Sequence, residues 1–269
     1  MNKVNFKNLY SSWLKDQVKN NCQIKKRKKE MTGTIAECYQ EVFSGEPFYE
    51  NWTKESAEAV IEDYLKTGTT IRVAEIDEKA VGFLVATDVI PEDQKPYIPY
   101  NQEEIRFIEE IGVSSKSRGN NIASELVRGD IISSLERDKN YIGYRTNAMR
   151  WLIKRPEESF ETAIERTQIE DATKRIEGEP IIIPTLSEEE KQEFINQYIE
   201  LLEKRPDLDV SDSSKLFRGI GFNVEFCKIG NNYTWQKDPT GENNDRIFPV
   251  LNLKKAGYSK TYYNGKGQR

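Results

Sequence analysis

Apolar positions Ile35, Cys38, Tyr39, Val42 and Phe43 recur three and four residues apart, which predicts an amphipathic helix stopped by Ser44-Gly45-Glu46-Pro47. After the aromatic connector Phe48-Tyr49-Glu50-Asn51-Trp52, Thr53 stands where a second helix would be capped, with Val60, Ile61, Tyr64 and Leu65 inward. The pattern then turns strand-like over 70–76 and 80–88, joined by Asp77-Glu78-Lys79. A polar loop rich in Pro and Tyr, 91–101, leads into a strand over 105–113. Beyond it a helix from about Asn121 to Arg137 carries Ile122, Leu126, Ile131 and Leu135 on one stripe. A further strand over 141–146 precedes Asn147-Ala148-Met149-Arg150-Trp151.

The flanking segments differ in character. Residues 1–21 form a weakly specified helical extension, and Cys22–Lys29 reads as an edge strand whose lysines discourage aggregation. At Pro156 the chain becomes acidic: 156–212 holds 17 acidic against 6 basic residues. Here Glu157–Ile176 reads as a charged helix and Pro180–Pro184 as a short apolar connector. Ser187–Lys204 reads as a helix with a capping box, Ser187 to Glu190, and a stripe of Phe194, Tyr198, Ile199 and Leu202. A short helix over 214–222, ending at Gly221, and a strand over 248–253 follow; the tail from Lys254 is expected to be loose. The organisation is thus an extension (1–21), a main domain (22–155 with 214–253), an acidic helical insertion (156–213) and a tail (254–269).

Composition narrows the chemistry. The 269 residues contain no histidine, which excludes Ser-His-Asp and Cys-His hydrolases, HExxH metalloproteases and His-bearing zinc sites in their usual forms. Cys22, Cys38 and Cys227 lie far apart with no metal-ligand spacing, so no metal site and a reducing cytoplasm are expected. No apolar run is long enough to cross a bilayer, and a net charge of -5 argues against a nucleic-acid partner.

The most informative stretch is Val113-Ser114-Ser115-Lys116-Ser117-Arg118-Gly119-Asn120-Asn121-Ile122-Ala123. A strand ending in a short Gly/Asn turn that opens straight into a helix presents unpaired N–H groups at the positive end of the helix dipole, a site suited to a diphosphate. With Tyr39-Gln40-Glu41-Val42-Phe43, Pro47 to Trp52, Phe107 to Val113, Arg145-Thr146-Asn147 and Leu216 to Phe222, this stretch resembles the GNAT N-acetyltransferase superfamily. The resemblance implies an α/β (α+β) fold: a mixed, mostly antiparallel central sheet flanked by helices, with the acidic insertion before the last helix-strand unit.

It also implies acetyl-CoA as co-substrate, its pyrophosphate on Arg118, Gly119, Asn120, Asn121, Ile122 and Ala123. The pantetheine arm would lie along Ile111, Gly112 and Val113, with Asn147 hydrogen-bonding it. Two positions depart from the family pattern: Asn121 stands where Gly is usual, and Phe217 where a tyrosine often protonates the departing thiolate. Tyr144 or Ser214 would have to supply that proton.

Glu110 is the expected general base, acting through water, with Glu109 on the opposite strand face by simple alternation. The alternative has both carboxylates solvated or paired with Arg106 and Arg145. The implied activity is N-acetylation of a primary amine on a small cationic molecule or a peptide, by direct attack in a ternary complex. A coenzyme-binding sensor without turnover is the contrasting reading, and an acyltransferase toxin acting on aminoacyl-tRNA is disfavoured by the acidic balance. Homodimerisation is compatible with the chain.

Overall fold

Asp77 and Glu78 both adopt left-handed backbone, with φ of 49° and 63°. Two consecutive positive-φ residues make the tight turn whose twist matches that of paired strands, so β2 (Thr70–Ile76) and β3 (Lys79–Thr87) close as a hairpin with Ile76 opposite Lys79. The computed structural model describes residues 23–26, 32–45, 50–67, 69–146, 158–159, 161–162, 187–208, 212–237 and 246–256. The expected extension over 1–21, nearly all of the helix at 157–176, the connector at 180–184, Asn147 and the end of the tail lie outside these residues.

The chain divides into two units: Met1–Val89 with Gln102–Ile142 and Leu253–Arg269, and Ile90–Asn101 with Gly143–Asn252. In the first, β1 (Gln23–Lys26) pairs antiparallel with β2 and occupies the edge. β3 pairs antiparallel with β4 (Ile105–Val113), and β5 (Tyr141–Tyr144) begins beside β4.

One face of this sheet carries α1 (Thr32–Ser44) and α2 (Lys54–Lys66). Ile35, Ala36, Cys38, Tyr39 and Val42 of α1 pack with Ala57 and Ile61 of α2 and with Ile71, Val73, Phe83 and Val85 of the sheet. Thr53 caps α2 as expected, its hydroxyl accepting from the Ser56 amide while Ser56 answers the Thr53 amide. Leu65, expected inward, is 36% exposed; it lies in the last turn, one step round the helix from Tyr64, and Ala57 takes the inward place. The Cys38 thiol is pushed up to about 12 by burial, with Glu41 adding to the effect.

The other face carries α3 (Ile122–Glu136). Gly82 of β3 lets it approach, since a Cβ there would meet Ile122 at 3.0 Å. A buried charge network joins the layers. Arg106 of β4, 0% exposed, donates through Nε and Nη2 to Asp130 of α3 at 2.9–3.0 Å and through Nη1 to Asp88 at 2.8 Å. Asp88 also receives Arg137. Arg72 of β2 hydrogen-bonds Ser133 and lies 3.6 Å from Asp130.

Burial alone would lower the Arg106 guanidinium, yet its two carboxylates carry it above its ordinary value. Arg72, which only shares Asp130, is lowered by burial and by the charge of Arg106.

The second unit is built around α4 (Glu188–Lys204), capped by the expected Ser187–Glu190 box. Its buried stripe is Ile195, Tyr198, Ile199 and Leu202, with Phe194 half-buried. Five short strands that the sequence pattern did not announce follow α5 (Asp212–Gly219): β6 (Val224–Phe226), β7 (Lys228–Ile229), β8 (Asn232–Tyr233), β9 (Trp235–Gln236) and β10 (Arg246–Ile247).

Side chains of α4 serve the backbone of β8: Gln192 Nε2 donates to the Tyr233 carbonyl and Asn196 Oδ1 accepts from its amide, both at 3.0 Å. The Tyr233 hydroxyl donates to Glu203 at 2.7 Å and the Trp235 indole to Gln192 at 2.9 Å. The helix read as part of the acidic insertion is bonded to β8 and β9 of this unit. The last strand, β11 (Pro249–Asn252), pairs antiparallel with β6, and Cys227 beside it is buried, its thiol also pushed up to about 12.

Removing Asp130 strands two buried guanidinium groups. Asp130→Ala is expected to lose about 3–5 kcal/mol in equilibrium denaturation. Arg106→Met costs less, because Asp88 keeps Arg137 and Asp130 keeps Arg72.

At Asp88 burial acts to raise the carboxyl, but Arg106, Arg137 and Lys139 outweigh it and hold it below the usual range. A depressed folded value gives stabilisation that is complete above the unfolded value of about 4 and is lost as pH falls through the folded one. Denaturation midpoints followed downward through about pH 4 should accordingly fall less steeply in Asp88→Asn than in the parent.

Candidate active site

Directly opposed residues on paired strands share a face, so the β3–β4 register shows where each β4 side chain points. Val85, in the α1 core, opposes Glu110, and Phe83 opposes Gly112. The next pair is Ala86 with Ile108, so Glu109 has no partner across the ladder. It is the extra residue of a β-bulge.

The bulge resets the alternation. Glu110 and Gly112 face α1, while Ile108 and Arg106, of the same parity, face α3. Arg106 therefore reaches Asp130 and not Glu109 or Glu110, so its part in the ion pairing entertained for those carboxylates falls. The inference that Glu109 and Glu110 oppose each other by simple alternation also falls, because the bulge interrupts it at Glu109.

Gly112 has a packing reason on its α1 side: a Cβ there would meet Phe83 and Val42 at 2.8 Å. Ile111 opposes Leu84 on the α3 side, and Val113 opposes Gly82. Glu110 is half-buried, and its Oε1 accepts the Tyr39 hydroxyl at 3.0 Å. Burial above all, and then the Glu110 charge, push the Tyr39 phenol far above its ordinary value, so it is a neutral donor at every physiological pH. The sequence places Tyr39 on a helix stripe and in the family-like run 39–43, and does not join it to Glu110. The signal was the pairing of a polar-tipped aromatic with an acid on facing elements, invisible without the register.

Past β4, the Ser114 amide donates to the Val81 carbonyl at 2.9 Å, and its hydroxyl donates to Glu41 at 2.6 Å. One 3-10 turn, Ser115–Ser117, brings the chain to Arg118, whose Nε folds back to the Val113 carbonyl at 3.3 Å. Gly119 has φ of 80°, and Asn121 caps α3 in left-handed backbone at φ 63°. Asn is the side chain that tolerates this region best after Gly, which explains how the turn forms without the usual glycine.

Asn121 contributes no side-chain bond to the helix start, so its own amide oxygen does not cover the first N–H groups of α3. Arg118, Gly119, Asn120 and Asn121 are exposed, Ile122 is buried against the sheet and Ala123 is half-buried. The turn is open to solvent and can present its amides to an anion.

Tyr144 belongs to the second unit from Glu110. It is 3% exposed; its hydroxyl lies 3.0 Å from Ser214 Oγ, and its ring centroid 4.5 Å from that of Phe217. The two hydroxyls considered as proton donors are thus bonded to each other beside the phenylalanine. Among the described residues no group of three or more His, Cys, Asp or Glu gathers to hold a metal ion. No helix there is long and apolar enough to cross a membrane.

Residues 35–129 match the family model of the Acetyltransferase (GNAT) family. The span runs from α1 to the middle of α3 and includes Tyr39, Glu110 and the turn 118–121, so the GNAT resemblance read from the motifs stands. Over that span the antiparallel strands flanked by helices are those the resemblance implies. Among solved structures, an N-acetyltransferase from Staphylococcus aureus Mu50 is 16% identical, with 87% of this chain and 99% of that one covered and a TM-score of 0.43.

The loading GNATL domain of CurA from Lyngbya majuscula is 10% identical, with 88% and 100% covered and a TM-score of 0.49. A putative acetyltransferase from Salmonella typhimurium, solved with its cofactor acetyl-CoA, is 12% identical, with 87% and 95% covered and a TM-score of 0.42. No curated protein matches the chain.

Deleting Glu109 should be tolerated. The flanking pairs Val85–Glu110 and Ala86–Ile108 would become consecutive, with Arg106 still facing α3 and Glu110 still facing α1. Thermal denaturation of the deletion variant should show a cooperative transition near that of the parent, whereas deletion of Gly112, which moves Val113 onto the α1 side where even a Cβ meets Phe83 and Val42 at 2.8 Å, should abolish folding.

Proposed function

We propose that the protein is an acetyl-CoA-dependent N-acetyltransferase that modifies a primary amine of a small cationic molecule or a peptide. The observation that carries this reading is the exposed left-handed turn Arg118–Asn121 opening α3 directly after β4. Its amides suit the coenzyme pyrophosphate, with Ile111, Gly112 and Val113 alongside the pantetheine arm and Asn147 as a further hydrogen-bonding group. The GNAT family match supports acetyl-CoA as the donor.

A thioester is already activated, so the protein has to align it with the amine and manage protons. Glu110, through water, takes a proton from the acceptor ammonium. The freed amine attacks the thioester carbonyl carbon, a C–N bond forms, the C–S bond breaks, the nitrogen sheds its second proton to restore the spent donor, and the thiolate takes a proton from that donor. Because Phe217 has no hydroxyl, that proton falls to Tyr144 with its partner Ser214. The acidic residues of 156–212 suit a cationic acceptor, whose approach an anionic surface favours at low salt.

Titration calorimetry should detect acetyl-CoA binding, and free thiol should appear only when a suitable amine is added. Glu110→Gln should lower kcat by about 10²–10⁴-fold with acetyl-CoA affinity unchanged. Absence of affinity for both acetyl-CoA and CoA overturns the reading. Coenzyme binding with no turnover on any amine would favour a sensor module, the role to which Phe217 points.

A further inference from the structure

Tyr39 is the most constrained polar side chain near Glu110. Its ring is 3% exposed and held by three others: Phe43 at 4.5 Å between centroids, Trp52 at 5.1 Å edge-on and Phe83 at 5.4 Å stacked. The hydroxyl at the end of this fixed ring donates to Glu110 Oε1 at 3.0 Å across 71 residues of sequence. A glutamate carboxylate rotates through a broad, soft torsion, so a donor with no freedom of its own restricts the planes the carboxylate can adopt.

From these facts we infer that Tyr39 is a positioning residue, which fixes the carboxylate of Glu110 for proton acceptance. The inference rests on the role proposed for Glu110 above. The groups that face the Tyr39 hydroxyl are Glu110 from β4, Tyr64 from α2 and Glu50 from the segment before α2. All three push the phenol upward and so keep it in its neutral, donating form, with Glu110 as the acceptor. Glu50 is itself engaged by the Trp52 indole at 2.6 Å, and Trp52 in turn braces the Tyr39 ring. The phenol transfers no proton; it holds an acceptor still and favours its ionised form, because a hydrogen bond to a carboxylate stabilises the charge.

Tyr39→Phe keeps the ring and its three aromatic neighbours while removing the one bond at issue. The protonation of Glu110 can be followed by carbon-13 NMR of glutamate carboxyls, its signal assigned by its absence in Glu110→Gln. In Tyr39→Phe the midpoint should rise by about one pH unit, the size expected for losing a hydrogen bond to a charged group. The acid limb of kcat/KM should move up with it, and KM for acetyl-CoA should stay unchanged. Phe43→Leu, which loosens the same aromatic cluster, should destabilise the protein and leave the midpoint where it was.

An unmoved midpoint in Tyr39→Phe, or an equal rise in Phe43→Leu, overturns the assignment. The titration requires no turnover, so it reads the Tyr39–Glu110 coupling separately from a failure of acetyl-CoA to bind, which would defeat the transferase reading and with it the proton-accepting role.

Discussion

Strand β4 has to satisfy two demands of opposite sense. Arg106 is a guanidinium without solvent, and its counter-ion Asp130 lies on α3; Gly112, six residues on, abuts α1 so closely that no Cβ fits. Regular alternation would turn both positions toward the same layer. Burying Arg106 among the apolar side chains of α1 and α2 without a partner would cost several kcal/mol, more than a disrupted pair of ladder bonds. The chain resolves the conflict with one supernumerary residue, Glu109, and every side chain after it is re-aimed. Glu110 meets Tyr39 only because of this.

The same charge network steadies the helix that carries the turn. α3 is docked at its first residue, where Ile122 packs on Gly82, and again two turns later, where Asp130 receives Arg106. Gly129 completes the fit by leaving room for the Arg72 guanidinium, whose Nη1 would lie 3.3 Å from a Cβ at that position. An anion arriving at Gly119 and Asn121 would meet amides whose directions are set in advance. Little ordering remains to be done on binding, which is what makes a backbone array effective as a ligand cradle.

Much of this was legible from residue order alone. Residue order located α1, α2, α3 and α4, the hairpin at Asp77-Glu78, the Thr53 cap and the Ser187–Glu190 capping box, because each depends on neighbours within a few positions. The turn at 118–121 was legible for the same reason. What escaped was set by partners far along the chain. The Tyr39–Glu110 bond spans 71 residues, and the Arg106–Asp130 pair needs the register of β4 to be known. Simple alternation misplaced Glu109 because a bulge has no local signature beyond the clash it relieves. The short strands between 224 and 247 went unseen because two- and three-residue segments are too brief to show a period, and their order comes from Gln192 and Asn196 on α4.

The two sulfhydryls within the described residues have a practical bearing. Cys38 and Cys227 are shut away from solvent, and each stays protonated until about pH 12. The reactive species is the thiolate, so near neutrality both are silent toward disulfide reagents and alkylating agents. Coenzyme liberated in a reaction mixture would therefore be reported by its colour with almost no background from these two, and a surface cysteine introduced for a dye would be modified selectively over them.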